Sequence, residues 1–159
     1  MAQVRLGRIF VVGMGVALLV LLGLPKDVFG SRTSLPLWMV LALGFAVIDA
    51  IGLVLFAERM VRPLARGLDE TSARLRGVVA LRGLIFLRAT VAATPALIGL
   101  GLAAIAHTAR TPVLVMVAVS LALLAVAYPR VALVRSVRDR LERAGAASYL
   151  VVTDAVARD

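Results

Sequence analysis

The chain contains 159 residues, of which 62% are hydrophobic and none is cysteine, and it carries a formal net charge of +9. With a mean hydropathy of +1.00, it is too apolar for a water-soluble globular domain. The lack of cysteine excludes disulfides, thiolate metal sites and cysteine nucleophiles. No nucleic-acid recognition motif accompanies the positive charge, so no nucleic acid is expected as a partner. Together these features predict an all-α integral membrane protein with a single domain.

Four apolar runs predict a bundle of four transmembrane helices. In chain order they cover residues 9–24, 35–57, 83–106 and 112–128. The first run is short for a hydrocarbon core that requires about 20 residues. The alternative for this run, a cleaved signal peptide, is disfavoured because Pro25 and Lys26 follow it instead of a small-x-small cleavage site. A retained first helix is therefore expected.

Basic residues are unevenly divided among the segments that flank these runs. The N-terminal segment, the 58–82 connection and the tail at 129–159 together contain fourteen, whereas the other two connections contain three. Because cytoplasmic segments of membrane proteins are enriched in lysine and arginine, both termini are predicted to be cytoplasmic. Seventeen of the 18 basic residues are arginine, a bias typical of GC-rich bacterial genomes. The expected location is thus the plasma membrane of a bacterium.

Both large cytoplasmic segments are predicted to contain an amphipathic stretch. In residues 61–82, Leu64, Leu68, Leu75 and Val79 are predicted to lie near one helical face. Residues 130–144 are predicted to form a second amphipathic helix that ends near Gly145. Its apolar stripe and its charge pairs at i,i+4 spacing consist of Val134, Val137 and Leu141, and of Arg135–Asp139, Arg138–Glu142 and Asp139–Arg143.

The arginines of these two segments form a predicted basic surface. Anionic lipid headgroups are its expected partner, because basic amphipathic helices bind them by charge and by apolar burial. A docking surface for another subunit is the alternative. The residues are Arg62, Arg66, Arg74, Arg76, Arg135 and Arg138.

Asp49 is the one acidic residue deep within an apolar run, where a charge costs about 2.5–3.5 kcal/mol. Asp49 and Arg88 are expected at depths of about 12 and 8 Å from the cytoplasmic boundary, on neighbouring antiparallel helices. Small residues lie on the same face as each of them, and the hypothesis is an ion pair that joins spans two and three. The small residues are Ala42, Ala46 and Gly52 in span two, and Ala92, Ala96, Gly99 and Ala103 in span three.

Three interpretations of Asp49 stay open. The pair with Arg88 is a static structural contact, or Asp49 is a titrating carboxylate in a proton or substrate path, or it pairs with a different protein chain. Pro95 is expected to kink span three. His107, the single histidine, is expected to be an ordinary interfacial residue, and the Ser120 hydroxyl is expected to bond its own helix backbone.

The function expected from these features is that of a non-enzymatic accessory or assembly subunit of a larger membrane complex. No catalytic residues, cofactor or metal are predicted, because the sequence offers neither a second histidine nor clustered carboxylates. The alternative is a small transporter or channel that forms its pathway by self-association, with Asp49 lining it. A membrane enzyme acting on lipids is a third class, and it lacks the acidic or histidine cluster that such enzymes use.

Overall fold

The computed structural model describes residues 2–25, 29–31, 34–145, 147–148 and 150. Within them the chain is all-helical, as predicted. Two short 3₁₀ turns, Ala57–Met60 and Glu142–Ala144, follow the second and the last helix. The helices are α1 (Ala2–Leu22), α2 (Leu37–Phe56), α3 (Glu70–Ala106), α4 (Thr111–Ala127) and α5 (Val131–Leu141).

Three helices, α1, α2 and α3, are long and apolar enough to cross a membrane. A fourth candidate arises if α4 and the segment Val131–Ala144, which meet at an angle of 61°, are counted as one broken span. On their own the 17 residues of α4 extend about 26 Å at 1.5 Å per residue. The three to four candidate helices are compatible with a membrane location.

The centre of the molecule is α3, which packs against α1, α2, α4 and α5. From Ala89 onward its buried residues are alanine, glycine and one proline, and such small residues let neighbouring helices approach closely. A Cβ atom added to Gly99 would lie 2.9 Å from Cβ of Met116 on α4, closer than real Cβ contacts allow. The predicted face of α3 is buried, and it contains Arg88, Ala92, Ala96, Gly99 and Ala103.

The prediction of which face of α2 is buried is wrong, because the helix is rotated about its axis relative to the predicted orientation. Its buried residues are Met39, Leu43, Ala50 and Val54. Asp49 is exposed, and Ala42, Ala46 and Gly52 are only half-buried. The α2–α3 contact is therefore made mainly by large side chains of α2 packed against small residues of α3, and not by small residues on both helices.

Large apolar side chains cover the outer faces of α1 and α2. On α2, Phe45 and Ile48 are 73% and 71% exposed. Soluble proteins seldom expose contiguous apolar surface of this extent. The other strongly exposed large residues of these two helices include Ile9, Val12, Val16, Val20, Leu37, Trp38, Leu41 and Leu55.

The second half of the 61–82 stretch and span three form a single helix, α3. The 37 residues of α3 extend about 55 Å, well beyond the roughly 30 Å of a hydrocarbon core. The helix begins at Asp69, whose carboxylate accepts a hydrogen bond of 3.0 Å from the Ser72 amide. This bond lowers the pKa of the Asp69 carboxyl. Such an N-cap fixes the start of the helix.

The segments 57–82 and 128–145, together with Ser148 and Leu150, pack into one unit, which we call the basic layer. The Leu64 amide donates a 2.9 Å hydrogen bond to the Leu141 carbonyl and so joins the 61–69 connection to α5. Leu75 and Val79, predicted to share a face with Leu64, are instead 63% and 61% exposed. The side of α3 that enters the layer is formed by Ala73, Gly77 and Leu81.

The amphipathic helix predicted for residues 130–144 is confirmed, and it ends at Gly145 with φ of +82°. Its stripe of Val134, Val137 and Leu141 is buried within the chain's own core. That apolar face is therefore covered by this molecule, and only the basic face of α5 is available to lipid or to another protein.

Candidate functional site

A buried ion pair links the long helices to the basic layer. Nη1 of Arg88 lies 3.0 Å from Oε1 of Glu58, with the two side chains 8% and 25% exposed. The Ser136 hydroxyl donates to the other Glu58 oxygen at 2.5 Å, and Nη2 of Arg88 donates to the Val126 carbonyl at 3.4 Å. One cluster thus joins the turn after α2 to α3, α4 and α5.

Local structure explains why Glu58 is the ion-pair partner of Arg88. The 3₁₀ turn Ala57–Met60 continues α2 and buries Ala57, so that Glu58 lies at the α2 end that meets α5 and Arg88. Arg59, the next residue, points elsewhere and places its guanidinium 4.5 Å from the centre of the Phe56 ring. Glu58 and Arg59, although adjacent in sequence, therefore contact different residues, Arg88 and Phe56.

Asp49 and Arg88 are not brought together. Asp49 precedes Glu58 by nine residues, which corresponds to about 13 Å along the helix axis, and it lies on the exposed side of α2. The sequence-based hypothesis placed the two charges at similar depths and missed Glu58, which pairs with Nη1 of Arg88 nearer to the end of α2. Burying a cation close to water costs less than burying it deeper.

Polar contacts also close the basic layer itself. The Glu142 carboxylate accepts hydrogen bonds from the Ser148 amide at 3.1 Å and the Ser148 hydroxyl at 2.7 Å. Arg138 contacts the same carboxylate at 3.2 Å. Burial raises the pKa of the Glu142 carboxyl, but the bonds from Ser148 and Arg138 outweigh burial, and the pKa lies below its ordinary value.

This contact positions the described part of the tail. Leu150 is buried, and a Cβ atom added to Gly77 of α3 would lie 3.3 Å from the Leu150 side chain and the Ser148 carbonyl. Because glycine has no side chain, it lets the tail lie directly on the helix. We call the Glu142–Ser148 contact with Leu150 the tail latch.

All six arginines of the predicted basic surface are exposed. Two of them also hold the layer together, since Arg66 donates a 2.6 Å hydrogen bond to the Ala144 carbonyl and Arg138 pairs with Glu142. Of the predicted i,i+4 pairs, the one with Arg138 is within ion-pair distance among the described residues. The remaining four, Arg62, Arg74, Arg76 and Arg135, present their charge outward.

The other predicted polar residues lie apart from this cluster. The buried Ser120 hydroxyl accepts a 3.0 Å hydrogen bond from the Ala96 amide of α3, so it joins two helices instead of bonding its own. Ala96 directly follows Pro95, where the ring disturbs the helical hydrogen-bond ladder. His107 is exposed in a left-handed conformation, φ 48°, at the end of α3. Among the described residues no group of three or more histidine, cysteine or acidic side chains could hold a metal.

An apolar groove of about 710 Å³ runs between α2 and α4 near the α3–α4 turn. Its walls include Leu43, Gly44 and Val47 from α2, and Val115, Met116 and Val119 from α4. Asp49 does not line this groove. Asp49 lies five residues after Gly44 and two after Val47, spacings that place it on a different side of the helix from these groove residues. It therefore lies at the edge of the exposed side of α2 that is opposite to the groove.

No protein-family model, curated protein or solved structure matches this chain. What can be concluded about function therefore depends on the geometry described above. Two features stand out in it: a cluster that uses Glu58, Arg88 and Ser136 to join the chain's own elements, and an exposed face of α2 that contains Asp49.

Proposed function

We propose that this protein is a non-enzymatic accessory or assembly subunit of a larger membrane complex. Its helices α1 to α4 span the membrane as a four-helix bundle, and both termini and the basic layer are cytoplasmic. The observation that carries this proposal is the contrast between the two polar features. The buried charges are committed to internal contacts, whereas the α2 face with Asp49 is uncovered.

Membrane embedding is supported by the distribution of apolar side chains. The outer faces of α1 and α2 expose residues such as Val16, Val20, Phe45 and Ile48, which lipid tails solvate without penalty. The large α3–α4 interface by contrast uses small residues and close contacts. That arrangement is typical of transmembrane helices packed side by side.

Orientation is supported by the basic layer. Arg62, Arg74, Arg76 and Arg135 are exposed at the end of the molecule where Glu58 and Arg88 lie. Each basic residue near an anionic leaflet contributes about 1 kcal/mol of attraction. The layer would thus lie against lipid headgroups, or against a second subunit on the cytoplasmic side. It would thereby fix the depth of the helices in the membrane.

The second candidate function is a small oligomeric transporter or channel. The observation that favours it is the exposure of Asp49, since an outward carboxylate can enter a pathway only where two copies meet. Reconstituted protein would then mediate ion or proton flux in liposomes, and Asp49→Asn would abolish it. Under the subunit proposal the purified chain mediates no flux, and the substitution has nothing to change.

The direct test is purification of the tagged chain from native membranes in mild detergent, followed by native mass spectrometry. We expect an assembly of fixed stoichiometry that contains other membrane proteins. A particle that contains only copies of this chain would overturn the subunit proposal. Glu58→Gln, which weakens the internal cluster, and Asp49→Asn, which leaves it intact, separate loss of the fold from loss of assembly.

A further inference from the structure

We infer that the exposed Asp49 edge of α2 is the contact surface for a transmembrane helix of another protein, and that this helix carries a lysine or arginine within the membrane. The inference rests on the proposed function and specifies the chemistry of the partner. Its basis is a charge that has no counter-charge among the residues that the structure describes.

Asp49 lies in an exposed and apolar environment. It lies in the second half of α2, eight residues before Ala57, or about 12 Å from the helix end. Its neighbours Ile48 and Phe45 are among the most exposed apolar residues of the chain. Among the described residues no ion pair or side-chain hydrogen bond reaches Asp49. A carboxylate at this depth is strongly unfavourable in hydrocarbon without a partner.

The predicted spans of the chain offer no free counter-charge for Asp49. No lysine or arginine occurs in residues 33–58, 89–109 or 111–129. Arg88, the one basic residue within a predicted span, is 7% exposed and is bound to Glu58. A second copy of the chain would therefore bring no free cation to the level of Asp49, and a two-fold contact along this edge would place like charges near each other.

Aromatic side chains line the Asp49 edge of α2. Trp38, Phe45, Asp49 and Phe56 are separated by seven, four and seven residues, so they form one line along the helix. The three aromatic side chains are 52%, 73% and 50% exposed. Aromatic residues around a central polar anchor are typical of the energetically important part of a protein interface. The line is long enough for a helix to pack along it with its basic residue opposite Asp49.

The experiment replaces Phe45 with the photocrosslinker p-benzoylphenylalanine in cells that contain the full set of native membrane proteins. Val16, 54% exposed on the outer face of α1, receives the same group in a matched control. We expect one discrete adduct from position 45 and none of that size from position 16. Mass spectrometry of the adduct should identify a peptide from an apolar span that contains lysine or arginine.

Charge variants then test the contact itself. Asp49→Asn should lower the yield of the adduct about tenfold, because the basic residue of the partner is left without its counter-charge. Asp49→Glu, which keeps the charge, should retain most of the yield. Asp49→Lys should restore the adduct only when the partner's basic residue is exchanged for aspartate.

The contrary outcomes are distinct. An adduct with a second copy of this chain, an adduct whose span lacks a basic residue, or a yield unaffected by Asp49→Asn would each overturn the inference. So would crosslinking to lipid alone. If native mass spectrometry shows a hetero-assembly in any of these cases, the proposed function stands and only the partner chemistry is wrong. If it shows no other protein, both are wrong.

Discussion

At the residue scale, the pairing of a charged side chain depends on its depth along the helix and on which oppositely charged side chain lies nearest to it. Arg88 and Asp49 looked complementary in the sequence because depth was estimated from predicted helix ends. The 3₁₀ turn after α2, which no residue pattern signalled, brings Glu58 to Arg88 instead. A rotation of α2 about its axis also could not be read from its sequence, because apolar residues surround it on all sides.

The Glu58–Arg88 pair predicts a large effect of Glu58→Gln on stability. The substitution keeps the size of the side chain but leaves the buried Arg88 guanidinium, 8% exposed, without its counter-charge. We expect a loss of about 2–3 kcal/mol of unfolding free energy, near the lower bound for breaking a buried pair because Glu58 is partly exposed. Thermal unfolding in detergent, followed by circular dichroism, measures it.

Asp49→Asn is the matched control for that experiment. Because Asp49 makes no ion pair or side-chain hydrogen bond among the described residues and is exposed, its substitution should change the stability of the isolated protein by less than about 0.5 kcal/mol. Equal losses for Asp49→Asn and Glu58→Gln would restore the pairing originally inferred from the sequence and contradict the observed cluster.

At the element scale, the fold depends on a helix of small residues held between larger neighbours. The sequence was sufficient to predict this face of α3, since Ala92, Ala96 and Gly99 recur at helical spacing. It was also sufficient for α5, whose apolar and charged residues separate cleanly. It was not sufficient for the N-terminal part of α3, because the buried residues there, Ala73 and Gly77, are small and carry little hydrophobic signal.

Gly99→Ala should destabilise the α3–α4 contact. An added methyl group would lie 2.9 Å from Cβ of Met116, an atom close to the backbone that cannot rotate away, so the helices must move apart. We expect a cost of about 1–3 kcal/mol. Gly101→Ala on the same helix has open space around it and should be neutral or slightly stabilising. Unfolding of both variants in detergent provides the comparison, and equal effects would contradict the packing described.

The tail latch should open in acid. The pKa of Glu142 is lowered in the folded chain, so its stabilising contribution is complete above the ordinary glutamate value of about 4.3. That contribution is lost as the pH falls through the lower folded value, because protonation removes the charge that Ser148 and Arg138 bind. Hydrogen exchange at the Ser148 and Leu150 amides, corrected for the intrinsic pH dependence, should show protection lost in that window.

Glu142→Gln controls for general acid unfolding in this measurement. The variant should lower the protection of the two tail amides at neutral pH and should remove most of its pH dependence. If the variant retains the wild-type pH profile, a different group controls the tail, and the role assigned to Glu142 is wrong.

At the scale of the whole molecule, two regions of opposite character share the continuous helix α3 and are also joined by one polar cluster. The long helices present apolar surface outward, and the basic layer presents arginines. The Glu58–Arg88–Ser136 contacts connect the two regions, so a partner that binds α2 and a surface that binds the basic layer would act on elements in direct contact. The charge asymmetry could be read from the sequence by counting, whereas the connection required the three-dimensional contacts.

The four-span arrangement is the premise on which the subunit proposal and the Asp49 contact both depend. Because the chain has no cysteine, single cysteines at Arg62, Thr111 and Arg143, all exposed, can be probed with a membrane-impermeant maleimide. In intact cells we expect labelling at position 111 alone, and in inside-out vesicles labelling at positions 62 and 143. Labelling of 111 and 143 from the same side would contradict the four-span arrangement and the cytoplasmic basic layer.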